Sequence, residues 1–442
     1  MSITPRRRRI TTGLAIGTAA ALALVGCAAS TPGGDASGGT DKATEFSLLT
    51  PAENAIIRTQ LTSLSKDQCT AENKALPLKT STVAQADVVQ KITLLASQNA
   101  LPVQFVAGTA QVKPDGDLGK NTMVLDYEAT LKKLGVWDDI LPAAASTIKD
   151  VYGGMVSLPY QYNIEGIWYN KEIFKKNGLE APTTWDDLVA DSKTLKSAGV
   201  IPMTEAGSQG WPITRLLGNY IFRSLGVDAM KNVQDGKAKL TDPGYVKAAQ
   251  EIADFGTAGL FGAGITSRDT DTANAQFLNG QAAMTYNGSW FLANLNDPAQ
   301  NKIGVDQVGF IPFPDVTGGT GSSKDWPANA GAATATSTAL YGPKVGDWLS
   351  CIAKNYGSAA LSDQGVISGF KVNKEVKDVP PLTSTVQGIV NDASSTVLWF
   401  EARMDAKTTS DAQTNVANLI TGSMSAKDYM ALLQSDLDAA AG

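Results

Sequence analysis

Histidine is missing from all 442 residues of this chain. That absence removes the commonest general base and the commonest transition-metal ligand together. Ser-His-Asp and Cys-His nucleophile chemistry and His-based zinc sites are excluded, whereas chemistry needing only carboxylates, as in glycoside hydrolysis, survives. Cysteine is scarce, with Cys27, Cys69 and Cys351 the only three. Beyond Arg9 there is no basic run, and 43 Asp and Glu outnumber 37 Lys and Arg. Nucleic-acid binding rests on Lys and Arg neutralising phosphates, so this chain is a poor candidate for it. Long apolar runs are lacking too. The stretch from Gly13 to Val25 is uncharged and apolar but falls short of the ~20 residues that span a bilayer, and no second stretch approaches that length.

What is present begins with a charged head, Arg6 to Arg9, then that apolar stretch, a small residue and a cysteine. This is the layout of a cleaved export signal. Its ending, Leu24-Val25-Gly26-Cys27, resembles a bacterial lipobox, in which Cys27 becomes the first mature residue and carries the lipid. An ordinary signal peptide with an incidental cysteine is the plainer alternative, and Sec and twin-arginine export both remain open. Loss of residues 1–26 removes the four clustered arginines and leaves a net charge of about −10. Residues 28–43 (AASTPGGDASGGTDKA) carry almost no apolar bulk and read as a flexible tether. The expected organisation is a signal peptide at 1–26, a lipidated tether at 27–43 and folded structure from about 44, held at the outer face of the cell membrane. The remaining ~400 residues exceed what one hydrophobic core serves, so two lobes are expected.

Strand and helix signals then alternate. Glu45 to Leu49 reads as a strand ended by Pro51, and Ile56, Ile57, Leu61 and Leu64 share one face of a helix over about 53–66. Leu76 to Thr82 reads as a strand, Val88, Val89, Ile92 and Leu95 recur at helical spacing, and Val103 to Val106 is a short strand. Further on, Thr184 is placed to cap a helix rich in early acidic residues that Gly199 closes. Alternation of this kind predicts α/β sheets flanked by helices, whose ligands sit in loops beyond the strand ends.

One ordered set of motifs is highly specific. Leu158-Pro159-Tyr160, a polar insert to Gly166 and Ile167-Trp168-Tyr169-Asn170-Lys171 lead into Phe174-Lys175-Lys176-Asn177-Gly178-Leu179. Pro182-Thr183-Thr184-Trp185-Asp186-Asp187-Leu188 follows, then Phe277-Leu278-Asn279-Gly280-Gln281-Ala282-Ala283-Met284, Asn287-Gly288-Ser289-Trp290 and Gly309-Phe310-Ile311-Pro312-Phe313-Pro314. Together they resemble the maltose-binding-protein-like (family 1) solute-binding lipoproteins of bacterial ABC sugar transporters, over essentially all of 45–440. The resemblance implies a two-lobed α/β fold of the periplasmic-binding-protein type (type II, Venus-flytrap), each lobe a sheet flanked by helices, with the ligand cleft between lobes. Carried onto this chain, the N-terminal lobe covers 44–158 with 327–378 returning to it, and the C-terminal lobe 159–326 with 379–442. On that layout Cys69 and Cys351 share a lobe and could bridge; two separately buried thiols are the alternative. Gln104 stands where the family often carries an acidic residue.

The resemblance also implies site residues. A sugar needs aromatic plates for its C–H faces and polar groups for its hydroxyls, and in a closed cleft each polar group must be paired. Of the eight tryptophans, Trp168, Trp185, Trp137 and Trp348 read as packing. Trp290 matches the family's stacking tryptophan, Trp211 lies where the second lobe presents aromatics, and Trp399 falls near another family aromatic, with core packing as its rival. Trp326 precedes a re-crossing at Pro327, where hinge packing competes. Polar candidates are Glu53 and Asn54 after the first strand (helix capping competes), Thr109 and Gln111 after the third, and Asn163 at a cleft-facing position. Glu205, Glu401 and Asp405 complete the set. Neither metal nor cofactor is implied. The expected function is capture of a mono- or oligosaccharide by a monomeric receptor that delivers it to ABC permease subunits, without catalysis. A non-sugar solute such as a polyamine, or a secreted carboxylate-based glycosidase, are the alternatives.

Overall fold

The computed structural model describes residues 41–392 and 395–441. The signal segment, Cys27 and the tether up to residue 40 lie outside the described residues. Ten strands occur among the described residues: β1 (Phe46–Pro51), β2 (Leu78–Val83), β3 (Gln104–Ala107), β4 (Asn163–Asn170), β5 (Ile201–Met203), β6 (Ala282–Gly288), β7 (Val308–Ile311), β8 (Asp325–Asn329), β9 (Ala333–Thr336) and β10 (Ser395–Val397). They form two sheets, one ordered β2-β1-β3-β9 and the other β10-β8-β4-β6-β5 with β7 beside β4. In the first, β1 runs parallel to β2 and β3 while β9 is antiparallel. In the second, β4 is antiparallel to β6, β7 and β8, and β5 is parallel to β6.

The early alternation is realised with shifted ends. β1 runs on through Pro51, whose missing N–H is tolerated at a strand end. The first helix, Ile56–Lys66, starts later than the apolar spacing suggested, because Glu53 and Asn54 form the turn before it. Ile57, Leu61 and Leu64 are its buried face. Thr184 caps the Trp185–Ser197 helix in a reciprocal capping box with Asp187, and Gly199 follows its end at φ +77°. Trp185 is buried at the first turn, stacked on Phe313 with ring centroids 5.5 Å apart.

Each sheet anchors its own core. The first core draws on Phe46 through Tyr162 and on Ala328 through Phe370. The second sheet is packed by two clusters, one with Ile167, Tyr286 and Leu433 among its members and one with Ile164, Trp168, Trp326 and Leu382. The chain therefore leaves the first core between Tyr162 and Ile164, returns between Trp326 and Ala328, and leaves again between Phe370 and Leu382. The first two crossings lie side by side, since β4 and β8 pair through Asn163–Asn329 and Ile164–Ala328. Two lobes joined by three passages of chain result.

Cys69 and Cys351 are joined in a disulfide, with Cα atoms 5.9 Å apart, tying the turn after the first helix to the 22-residue Pro343–Gln364 helix. Closing a loop of 282 positions restricts the unfolded chain, an effect of about 2–5 kcal/mol in the chain-entropy account. Gln104 is fully buried and accepts from the Tyr160 hydroxyl at 2.7 Å. Among the described residues no helix is long and apolar enough to cross a membrane.

Candidate functional site

The helix Trp211–Leu225 organises the centre of the site. Gly210 precedes it at φ +71°, in the left-handed region, and a Cβ there would lie 1.9 Å from the Gln413 carbonyl oxygen. Glycine thus lets the helix start dock against the Ala406–Ile420 helix. Trp211 and Arg215, four residues apart, project on one face. The Arg215 guanidinium carbon lies 5.6 Å from the Trp211 ring centroid and 5.1 Å from that of Trp399. Trp290, just after β6, approaches Trp211 at 5.9 Å with the planes tilted by 59°. All three tryptophans are partly exposed. Trp399 also packs against the first core, so the cluster sits where the two lobes meet.

Beneath the rings lies a charged layer. Arg215 Nη1 donates to Glu165 Oε1, and its Nε faces Glu401 Oε2 at 3.4 Å. Glu165, in β4, also accepts from Asn329 Nδ2 and from the Tyr286 hydroxyl, each at 2.8 Å. Asn219 Nδ2 donates to the same phenol at 2.9 Å. Glu401 Oε1 accepts from the Thr214 hydroxyl and, at 3.4 Å, from Gln413 Nε2. The Glu165 side chain is 0%, that of Glu401 1% and that of Arg215 15% exposed. Burial works against the charge on Arg215, but Glu165 and Glu401 outweigh it and hold the guanidinium above its ordinary pKa. Burial, with the Glu165 charge, pushes the Tyr286 phenol far up, so it remains a donor. Two carboxylates against one guanidinium leave the layer with one net negative charge.

Four of the residues expected from sequence meet here: Trp211, Trp290, Trp399 and Glu401. Asn163 lies close by at the paired crossings, donating to Asn329 Oδ1 at 3.3 Å and accepting from Ser289 at 3.1 Å. The others are occupied elsewhere. Trp326 is buried against Phe310, with centroids 5.4 Å apart, in a core cluster of the second sheet. Glu53 accepts the Gln85 amide at 2.9 Å, and Asn54 accepts the Ile56 amide at 3.3 Å while reaching Gln161 at 3.4 Å. Gln111 folds back onto the Gly108 amide and donates to Val89 O and Thr93 Oγ1, closing its own short helix. Thr109 meets the Tyr152 hydroxyl. Asp405 caps the Ala406–Ile420 helix through the Lys407 and Thr408 amides. Glu205 is buried, accepts the Tyr286 amide at 2.6 Å, and has its carboxyl pushed well up by burial, opposed by that amide and by Arg268.

Arg215, Glu165, Tyr286 and Asn329 were not singled out from sequence. Two signals pointed to Glu165 and Arg215 alone: an acidic residue within the buried strand β4, and a basic one a helical turn after Trp211 among buried neighbours. Two surface hollows, of about 550 and 790 Å³, lie elsewhere: one between the Pro142–Tyr152 helix and Thr396–Leu398, the other along the Val88–Ser97 helix. None of the three tryptophans lines either hollow. The lobes also touch directly: Arg403, held within its own lobe by Gln234 at 3.0 Å, donates across to Asp150 at 2.9 Å, and Lys113 reaches the Ala402 carbonyl at 3.5 Å.

Comparison with known proteins agrees with this architecture. A chitin oligosaccharide binding protein of known structure superposes with a TM-score of 0.78 over 90% of this chain and 100% of that one, at 21% identity. The chain is 30% identical to the multiple sugar-binding protein of Streptococcus mutans over 178 residues, covering 37% of this chain and 40% of the relative. It is also 30% identical to the sn-glycerol-3-phosphate-binding periplasmic protein of Shigella flexneri over 184 residues, 40% and 39% of the two chains. These matches span less than half the length of the curated relatives. The family model for bacterial extracellular solute-binding proteins matches residues 65–344, well over half of the sequence. The chain belongs to the bacterial extracellular solute-binding proteins.

Proposed function

We propose that this chain is the capturing subunit of an ABC importer for a carbohydrate, anchored at the outer face of the cell membrane through a lipid on Cys27 and acting as a monomer. The lobes are read as 44–158 with 327–378, and 159–326 with 379–442. The observation that carries the carbohydrate reading is the convergence of Trp211, Trp290 and Trp399, partly exposed, over a buried layer of carboxylate, guanidinium and amide groups. Flat apolar surface beside fixed polar partners suits a ring with C–H faces and a rim of hydroxyls. The names of the Streptococcus mutans and chitin-oligosaccharide relatives support the same class.

The mechanism is a population shift. Open and closed arrangements interconvert, and a ligand that touches both lobes favours the closed one by its extra affinity for it. Trp399, packed on the first core and facing Arg215 of the second lobe, is placed to feel both. No bond is made or broken in the ligand.

A thermal-shift screen of the purified full chain against neutral mono- and oligosaccharides tests the reading, since binding to the folded state alone raises the melting temperature by mass action. A sugar that stabilises the protein, with the effect lost in Trp290→Ala, is expected. Stabilisation by polyamines and not by sugars, or release of cleaved sugar, would replace it. The anchor is checked separately: Cys27→Ala is expected to move the protein from the membrane fraction to the medium.

A further inference from the structure

Nε of Arg215 and Oε2 of Glu401 are buried, lie 3.4 Å apart, and each lacks a hydrogen-bond partner. Other polar atoms of the two side chains are engaged: Nη1 of Arg215 on Glu165 and Oε1 of Glu401 on Thr214. The two atoms face each other as an ion pair, but neither makes an aligned hydrogen bond, and buried polar atoms short of such a bond are costly. Their separation is that of a contact without the alignment of a bond.

One chemical group answers both. A hydroxyl accepts from the Nε–H and donates its own hydrogen to the carboxylate, using both halves of its inventory. A phosphate or carboxylate only accepts, and would bring further negative charge to a layer where Glu165 and Glu401 already outnumber one guanidinium. An ammonium only donates, and meets the positive charge of Arg215. The pair lies beside the tryptophans, with the guanidinium carbon 5.1 Å from the Trp399 ring centroid.

Resting on the carbohydrate reading, we infer that Arg215 Nε and Glu401 Oε2 are the specificity-determining pair of the site: they read one uncharged ligand hydroxyl and turn away phosphorylated ligands. A site built to pair a hydroxyl rejects the analogue lacking it, because its own buried groups are then left without partners. The same pair separates this chain from a receptor for an anionic solute, where a guanidinium must be free to face phosphate.

Calorimetric titration of the full chain tests this with neutral sugars (maltose, chitobiose, xylobiose, stachyose), glucose 6-phosphate, glycerol 3-phosphate and spermidine as probes. In the wild-type protein a neutral sugar is expected to bind while the phosphates do not, and one monodeoxy derivative of that sugar is expected to bind at least tenfold more weakly. Glu401→Gln is expected to weaken the parent sugar by ten- to a hundredfold and to abolish the penalty for that one missing hydroxyl. A phosphorylated sugar binding as tightly as its neutral parent overturns the inference, as does a monodeoxy series that is uniformly tolerated; neither needs a variant to fold. Binding lost in Trp290→Ala but unchanged in Glu401→Gln overturns this inference and leaves the carbohydrate reading standing. Absence of binding by every neutral sugar overturns both.

Discussion

Arg215 carries its charge into a nearly dry setting only because two carboxylates and two indole rings receive it. Removing one carboxylate from such a layer strands the remaining charges, which is why buried ion pairs are costly to break even where they add little net stability. Glu205 is the contrasting case. It is buried and accepts one backbone amide, and its folded-state carboxyl lies well above the usual range because of burial, opposed by the Tyr286 amide and Arg268. A raised folded-state value means that its contribution to stability is fully present below the unfolded carboxylate pKa and is lost as pH rises through the folded one. Glu205→Gln keeps an acceptor for the Tyr286 amide and removes the titration. Melting temperatures measured from about pH 4 to 8 are expected to show the wild type falling relative to the variant as pH rises. Curves that stay parallel across that window would contradict the assignment.

At the scale of the element, the helix Trp211–Leu225 delivers two site residues from its first two turns, and its start is fixed by Gly210. A side chain there meets the Gln413 carbonyl and adopts a left-handed backbone as well. Gly210→Ala is therefore expected to cost upwards of about 1–3 kcal/mol, lowering the melting temperature by several degrees and weakening sugar binding together. Gly236 provides the control, since it has φ +70° with nothing within 4 Å of a built Cβ, so Gly236→Ala carries backbone strain alone. Equal losses in the two variants, measured by thermal melting, would show that the helix docking is not what Gly210 protects. Other elements follow local rules in the same way: Thr184 and Asp187 close a helix reciprocally, and Asp405 caps another.

For the whole molecule, contacts such as that of Arg403 bear on the balance between lobes. Arg403 is held by Gln234 and reaches across to Asp150, whose side chain is 50% exposed. An exposed pair of this kind contributes about 1 kcal/mol or less to folding. Two arrangements separated by a few kcal/mol are nonetheless shifted by it, roughly fivefold per kcal/mol. Asp150→Asn is expected to enlarge the radius of gyration of the unliganded protein in X-ray scattering and to weaken sugar binding by a few-fold, with little change in melting temperature. Unchanged scattering and affinity would remove the clasp from the mechanism.

Sequence alone determined what depends on near neighbours and on ordered motifs. The missing histidine limited the chemistry, the apolar spacing of Ile57, Leu61 and Leu64 set a helix face, and Trp168-Tyr169-Asn170-Lys171 with its successors marked a two-lobed solute-binding fold. Trp211, Trp290, Trp399 and Trp326 were singled out together from that pattern, and the structure gathers the first three while it buries Trp326. Tertiary structure decided the partners. Glu165 lies 50 positions from Arg215 and Thr214 lies 187 from Glu401, so no window of sequence could say which carboxylate faces which donor. The same holds for the Cys69–Cys351 bridge across 282 positions. Gln111 and Asp405 offered groups suited to a ligand hydroxyl, but backbone amides two or three residues away engage them, whereas Glu53 accepts the Gln85 amide from 32 positions on, a partner that only the tertiary structure supplies.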